Sequence, residues 1–248
     1  MVAAVLIGKD KSTNLPGKNL RLIFGRPLMT YPLLAAKRAK TVDRIYISTD
    51  SPAIKKIGQE YGAEVIDRPA ELATKEALSE HVFVHAYRWM RERLPQGTEV
   101  ELLVLLMCNA PMILPETIDE GVEALRRDPT LDSAATVSCY NMWSPLRARR
   151  LAADGTLHPF VPFEAFGDPR TLSSDRNSQG DAWFADMGVS IIRPRCLTDV
   201  MSGLLPQRWM GHRIHALRQE AGLDVDFKWQ LLQVEWWIKE HGLDGDPT

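Results

Sequence analysis

The sequence predicts an α/β fold built on a mostly parallel sheet, and three observations carry that prediction. Short apolar runs alternate with amphipathic stretches from the N-terminus to about residue 139. Two of the runs, 2–7 and 102–107, are apolar almost without interruption, as strands buried on both faces require. The first leads straight into Gly8-Lys9-Asp10-Lys11-Ser12-Thr13-Asn14-Leu15-Pro16-Gly17-Lys18-Asn19, a loop of glycine, proline, lysine and hydroxyl side chains. Strand–helix alternation of this kind gives a parallel sheet with right-handed crossovers.

Val2-Ala3-Ala4-Val5-Leu6-Ile7 is the first strand. Residues 27–40 read as a helix, with Leu28, Tyr31, Leu34, Ala35 and Ala39 at helical spacing and Pro32 tolerated near the first turn. Residues 44–48 form a second strand. Ser51 then caps a helix whose first position is Pro52 and which stops at Tyr61-Gly62. A third strand covers 64–66, and proline-marked 68–74 is a loop over the sheet. A long helix is expected over 76–94, a strand over 102–107, a helix over 115–126 and a strand over 133–139.

Between Tyr140 and Asp186 the pattern breaks. Gly, Pro, Asp, Ser and Asn crowd together, and the segment reads as an excursion from the sheet, a β-rich arm or a lid. Order resumes with a strand over 187–192, a helix near 194–202, a short strand over 213–217 and a terminal helix over 227–240. Leu231, Leu232, Trp236 and Ile238 are expected to pack that helix on the sheet. The α/β domain is thus 1–139 with 187–248, and 140–186 is the excursion.

Composition excludes several classes of function. A formal charge of −2 offers no global attraction to nucleic acid or an anionic membrane, so an anion site must be built locally. No apolar run approaches the roughly 18 residues of a membrane span, and the N-terminal run is too short for a signal peptide. Cys108, Cys139 and Cys196 are too scattered for a disulfide framework or a zinc site. A cytoplasmic location is the expectation.

The loop after the first strand suits a polyphosphate, because backbone N–H groups, hydroxyls and ammonium groups converge at the carboxyl end of a parallel strand. It is neither a Walker A loop nor a Gly-x-Gly-x-x-Gly fingerprint. In Asp224-Val225-Asp226 two carboxylates flank an apolar residue and project the same way from an extended backbone. Two such oxygens are the usual protein share of a Mg²⁺ site, water and substrate phosphates filling the rest. The competing expectation is that Asp226 caps the last helix. His81 and His85 share a helix face, but a third zinc ligand is not evident.

Taken in order, these segments resemble the cytidylyltransferases that make CMP-sialic acid and related CMP-activated sugar acids. The resemblance rests on the 8–19 loop, on Asp43-Arg44-Ile45-Tyr46-Ile47-Ser48-Thr49-Asp50, and on Tyr61-Gly62-Ala63-Glu64-Val65. It continues through Arg68-Pro69-Ala70-Glu71-Leu72-Ala73, Ser144-Pro145-Leu146-Arg147 and Asp224-Val225-Asp226. It implies a three-layer Rossmann-like sheet with the excursion used for dimerisation, and hence a homodimer. It also implies CTP and an acidic acceptor as substrates, with Mg²⁺ as cofactor.

Carried onto this sequence, the resemblance puts Lys9, Lys11 and Lys18 on the triphosphate. Gly8, Ser12, Thr13, Asn19 and Arg68 bind CTP, and Asn19 meets the cytosine. Lys75, Asn109, Arg147 and Arg176 face the acceptor, and Asp224 with Asp226 holds the metal. Some positions depart from the family. Its loop arginine is Lys9, and its lysine after the serine is Thr13. Its Gln-Pro-Thr-Ser-Pro-Leu-Arg segment reads Met107-Cys108-Asn109-Ala110-Pro111-Met112-Ile113, its acidic residue after Leu-Ala-Ser/Thr is Lys75, and its Asn-Gly pair is Met187-Gly188. A less polar, more cationic site favours a small anionic acceptor such as a phosphonate over a nine-carbon sugar acid. A non-catalytic nucleotide-binding relative and a nucleotide-sugar glycosyltransferase are the competing classes.

Overall fold

The computed structural model describes residues 1–9, 14–74, 76–176 and 179–245. Its sheet begins with β1 (Val2–Ile7), every residue of which is buried. β1 pairs in parallel with β4 (Arg44–Thr49) on one side and β6 (Leu102–Met107) on the other. Between β1 and β4 lie a small ribbon, β2 (Leu22–Ile23) with β3 (Arg26–Pro27), and helix α1 (Thr30–Arg38). α2 (Pro52–Glu60) leads to β5 (Glu64–Asp67), parallel to β4. α3 (Ser79–Arg93) precedes β6, and α4 (Pro115–Arg127) precedes β7 (Ser133–Cys139).

The excursion follows. It holds one hairpin, β8 (Arg149–Leu151) with β9 (Leu157–Pro159), among tight turns. β10 (Trp183–Ile192) is antiparallel to β6 and β7, α5 (Arg195–Thr198) is one turn, and β11 (Ile214–Gln219) is parallel to β7. α6 (Gln230–Glu240) ends the chain. The seven-stranded order is β11-β7-β10-β6-β1-β4-β5, with only β10 reversed.

The period-2 alternation of β1 feeds two cores. Val2, Ala4 and Leu6 pack with Met29 just before α1, Leu33 of α1, Ile54 of α2 and Val122 of α4. Ala3 and Val5 pack with Val82, Phe83 and Met90 of α3 and with Leu197 of α5. Helices on both faces of one sheet make the expected three layers. Among the described residues no helix is long and apolar enough to cross a membrane.

Several elements depart from the sequence expectation. α1 starts at Thr30 rather than 27, because residues 26–27 pair with 22–23. α3 starts at Ser79 rather than 76. Among its described residues the excursion is mostly turns, with six strand residues before β10, and β10 begins four residues early at Trp183. A register shift between Ala185 and Ser190, with Met187 at φ 65°, lets that longer strand stay paired with β7. Leu231 and Ile238 pack as expected, but against Leu15, Ile23, Leu28 and Met112 in a third core. Leu232 (69% exposed) and Trp236 (50%) face outward, and Val234 and Trp237 take their places.

Candidate functional site

Parallel strands β1, β4 and β6 end together, and a cleft of about 300 Å³ opens over their carboxyl ends. Ile7, Gly8, Lys9, Lys18, Asn19, Arg68, Asn109 and Asp226 are among the residues lining it. Residues separated by more than two hundred positions therefore share one site.

Gly8 is there for close approach. A β-carbon on it would sit 2.8 Å from Cβ of Cys108, so only glycine lets the loop leave β1 against the loop leaving β6. Cys108 is fully buried, and burial pushes its thiol up to about 12, which makes it packing rather than a nucleophile. Gly17 is left-handed (φ 69°) and turns the chain into the single 3₁₀ turn Lys18–Leu20. That turn aims two side chains at the cleft. Asn19, 7% exposed, donates its amide to the Lys9 carbonyl at 3.0 Å, while its Oδ1 is buried with no partner among the described residues. Lys18 reaches across, and its ammonium lies 2.5 Å from Oδ1 of Asp226. Lys9 donates to the Thr74 carbonyl at 3.3 Å and ties the loop to the opposite wall.

Arg68 comes from the segment after β5. It donates to Oγ and the backbone carbonyl of Ser48, the buried residue near the end of β4. Burial holds its guanidinium below the ordinary arginine range, with Asp50 opposing the effect. A desolvated cation fixed by neutral groups in a cleft is a ready anion partner.

The carboxylate pair lies on an irregular strap between β11 and α6. Val225 is fully buried and doubly tied to Asn109: its N–H donates to the Asn109 carbonyl at 2.7 Å, and Asn109 Nδ2 donates back at 3.3 Å. With Val225 pointing inward, the flanking carboxylates share the opposite side. Burial, then the neighbouring charge of Asp226, raises the Asp224 carboxyl above its usual value. Asn109 Nδ2 approaches Asp224 at 3.5 Å. Asp226 does not cap α6. Its backbone N–H and that of Phe227 both donate to Oε1 of Gln230 at 2.7 Å, which leaves its carboxylate on Lys18.

The donor set suits a hard divalent cation. Two oxygen ligands lie close in sequence on one side, one destabilised by the charge of the other, and the ammonium of Lys18 already marks Asp226 as a cation position. His81 is exposed and His85 half-buried, and among the described residues no group of three or more His, Cys, Asp or Glu side chains surrounds a metal position.

Of the site residues expected from the sequence, Gly8, Lys9, Lys18, Asn19, Arg68, Asn109 and Asp226 line the cleft. Asp224 stands beside it through Asn109. Arg147 and Arg176 do not line it. Arg147 donates to the Ser174 carbonyl at 2.7 Å within the excursion, and exposed Arg176 borders a separate hollow with Tyr140 and Trp143. Lys11, Ser12, Thr13 and Lys75 lie outside the described residues. The sequence reading missed Leu72, Thr74, Ser79 and Val82, which form the wall facing the loop. Ser79 opens α3, and the amphipathic start of that helix is the signal that could have placed it.

Cations from the loop after the first strand face the carboxylate strap over the carboxyl edge of a mostly parallel α/β sheet. The chain belongs to the cytidylyltransferase family, whose family model matches residues 9–151, more than half its length. It is 32% identical over 123 residues to CMP-N,N'-diacetyllegionaminic acid synthase of Legionella pneumophila, covering 49% of this chain and 52% of that protein. It is 30% identical over 122 residues to N-acylneuraminate cytidylyltransferase of Escherichia coli, covering 49% of this chain and 27% of that one. The chain thus spans about half or less of the length of these curated relatives. The fold superposes on CMP:2-keto-3-deoxy-manno-octonic acid synthetase complexed with CTP, with TM-score 0.68, 18% identity, and 97% and 99% of the two chains covered. It also matches 4-diphosphocytidyl-2C-methyl-D-erythritol synthase of Anaerococcus prevotii, with TM-score 0.57, 12% identity and 96% of each chain covered.

Proposed function

We propose that this protein transfers CMP from CTP to an acidic acceptor and releases pyrophosphate. The observation that carries the reading is the Lys18–Asp226 contact, which brings the anion-binding loop and the carboxylate strap into one cleft. An acceptor oxygen attacks the α-phosphorus, the bond to the bridging β-phosphate oxygen breaks, and pyrophosphate departs with the electron pair. Such transfers depend on positioning and on neutralising charge at the phosphoryl and leaving oxygens. Lys9, Lys18 and Arg68 supply cations on the cleft wall; the family resemblance adds Lys11, which lies outside the described residues. Asp224 and Asp226 would hold Mg²⁺, which when bound supplies charge neutralisation at phosphate oxygens.

Asn19 is the natural reader of the base. Its amide is committed to Lys9, so Oδ1 is left as a buried acceptor facing the cleft. The exocyclic amine of cytosine would satisfy it, whereas the carbonyl of uracil would repel it. Asn19→Ala is therefore expected to reduce discrimination between CTP and UTP about tenfold, measured as the ratio of kcat/KM values.

For the acceptor, the relatives whose names specify a product point to CMP-activated sugar acids. Here Met107 lines the cleft where the resemblance places a glutamine, so fewer groups are available to hydrogen-bond a polyhydroxylated chain. That composition supports a compact acid, a small phosphonate ahead of a sialic-type sugar acid, whose attacking oxygen is already ionised. A homodimer through the excursion completes the reading. Met142, Trp143, Leu151, Leu157 and Phe160 there are all more than half exposed, more apolar surface than a lone subunit usually leaves in one segment.

The test is pyrophosphate release from CTP with a panel of phosphonates and sugar acids, with Mg²⁺ and with EDTA. Metal-dependent release with at least one acid is the expected result. Tight CTP binding with silence across the panel would replace the enzyme by a nucleotide-binding relative.

A further inference from the structure

Three side chains hold the backbone of the carboxylate strap: Gln230 at Asp226 and Phe227, Asn109 at Val225, and Tyr140 at Gly222. Asn109 fixes Val225 from the cleft floor. Tyr140 stands at the place where β7 leaves the sheet for the excursion. Its hydroxyl donates to the Gly222 carbonyl at 2.9 Å and accepts from the Gly222 N–H at 3.1 Å. One phenol thus satisfies both backbone groups of one residue.

Gly222 has no room to shift toward the sheet. A β-carbon there would lie 2.5 Å from Cγ of Asp186 and in collision with Nε2 of Gln219. Asp186 is 5% exposed and accepts from Ser138 Oγ at 2.5 Å, Gln219 Nε2 at 2.8 Å and the Gly188 N–H at 3.1 Å. The wall behind Gly222 is a fully engaged polar network at the β10 irregularity. Tyr140 holds the strap against that wall. Asp224 lies between Gly222 and Val225, and Asp226 just beyond Val225, where Gln230 holds its N–H.

We infer that Tyr140 is a positioning residue for the Asp224–Asp226 pair, setting its affinity for a divalent cation through the Gly222 backbone without touching substrate. The inference rests on the reading of that pair as metal ligands. Groups that orient a metal ligand typically change affinity 10–100-fold when removed. Because the strap has no helix or strand hydrogen bonds of its own, losing the Gly222 tie loosens the stretch that carries Asp224, while Asn109 and Gln230 still hold Val225 and Asp226.

Tyr140→Phe keeps the ring, which packs 6.2 Å from Phe184, and deletes both hydrogen bonds. Mn²⁺ serves as the probe, its free concentration read by electron paramagnetic resonance. The expected result is about tenfold weaker Mn²⁺ binding, with the Mg²⁺ requirement of pyrophosphate release raised by the same factor. The rate should recover at saturating Mg²⁺, and KM for CTP should then stay within about twofold of wild type. Gly222→Ala, which pushes the strap from the opposite side, should weaken Mn²⁺ binding as well. A Tyr140→Phe protein with a lowered melting temperature but wild-type Mn²⁺ affinity overturns the inference, since a purely structural role does exactly that. Asp226→Asn separates the two levels. If it too binds Mn²⁺ like wild type, the metal reading itself fails; if it alone loses Mn²⁺, only the role of Tyr140 is wrong.

Discussion

Asp224→Asn and Asp226→Asn are each expected to slow CTP-dependent pyrophosphate release by about a thousandfold, yet to move stability in opposite directions. Asp224 is a part-buried carboxylate facing another one, offset by Lys18, by a hydrogen bond from its own backbone and by a long contact to Asn109. Replacing it by the neutral isostere removes that repulsion and keeps an oxygen for the Asn109 amide. In the metal-free protein this should raise the melting temperature by about 2–4 °C, the shift that roughly 1 kcal/mol gives in a chain of this size. Asp226 is the partner of an ammonium whose side chain is only 13% exposed. Its loss strands Lys18 and should lower the melting temperature by a comparable amount. Thermal melts in EDTA, beside the pyrophosphate assay, check both halves. Variants that keep the wild-type rate would show that the pair is not at the reacting centre.

This opposition of stability and activity also explains which parts of the site the sequence discloses. β1 and β6 are unbroken apolar runs because both faces are buried, and Ser51-Pro52 is a cap because the Ser51 hydroxyl accepts from the Ile54 N–H. Such features are local and legible. Asp224-Val225-Asp226 is legible for the same reason, as two charges placed where a strand would want alternation.

What the sequence hides depends on distant partners. Met187 adopts φ 65° through pairing with β7 and β6, and nothing near it in sequence announces a left-handed residue. α6 is apolar on both sides, so periodicity cannot say whether Trp236 or Trp237 faces the core; Leu15, Ile23 and Leu28 decide it. Leu72, Thr74 and Ser79 line the cleft from the stretch between β5 and α3, a role that appears only when β5 ends beside β4. Tyr140, likewise, reads as a strand-end aromatic until Gly222 is folded onto its hydroxyl.

Lys18→Met is expected to cost about 10²–10³ in kcat/KM, because in the proposed reading the ammonium serves two anions in turn. In the free protein it neutralises Asp226 at 2.5 Å. Gly17 fixes the turn that carries it, so it can swing to a triphosphate in the cleft with little rearrangement of backbone. Once it does, Asp226 is left beside Asp224 with no counter-charge unless a divalent ion takes its place. CTP alone should therefore bind weakly, and CTP with Mg²⁺ strongly, each ligand removing the penalty the other meets. Asp226→Asn abolishes that penalty, and its affinity for CTP in EDTA should exceed that of wild type by about tenfold even though it turns over poorly. Lys18→Met should bind CTP poorly in either condition. Calorimetric titrations of the three proteins, in EDTA and in Mg²⁺, decide the matter: if metal-free CTP binds Asp226→Asn no better than wild type, Lys18 does not trade one anion for the other.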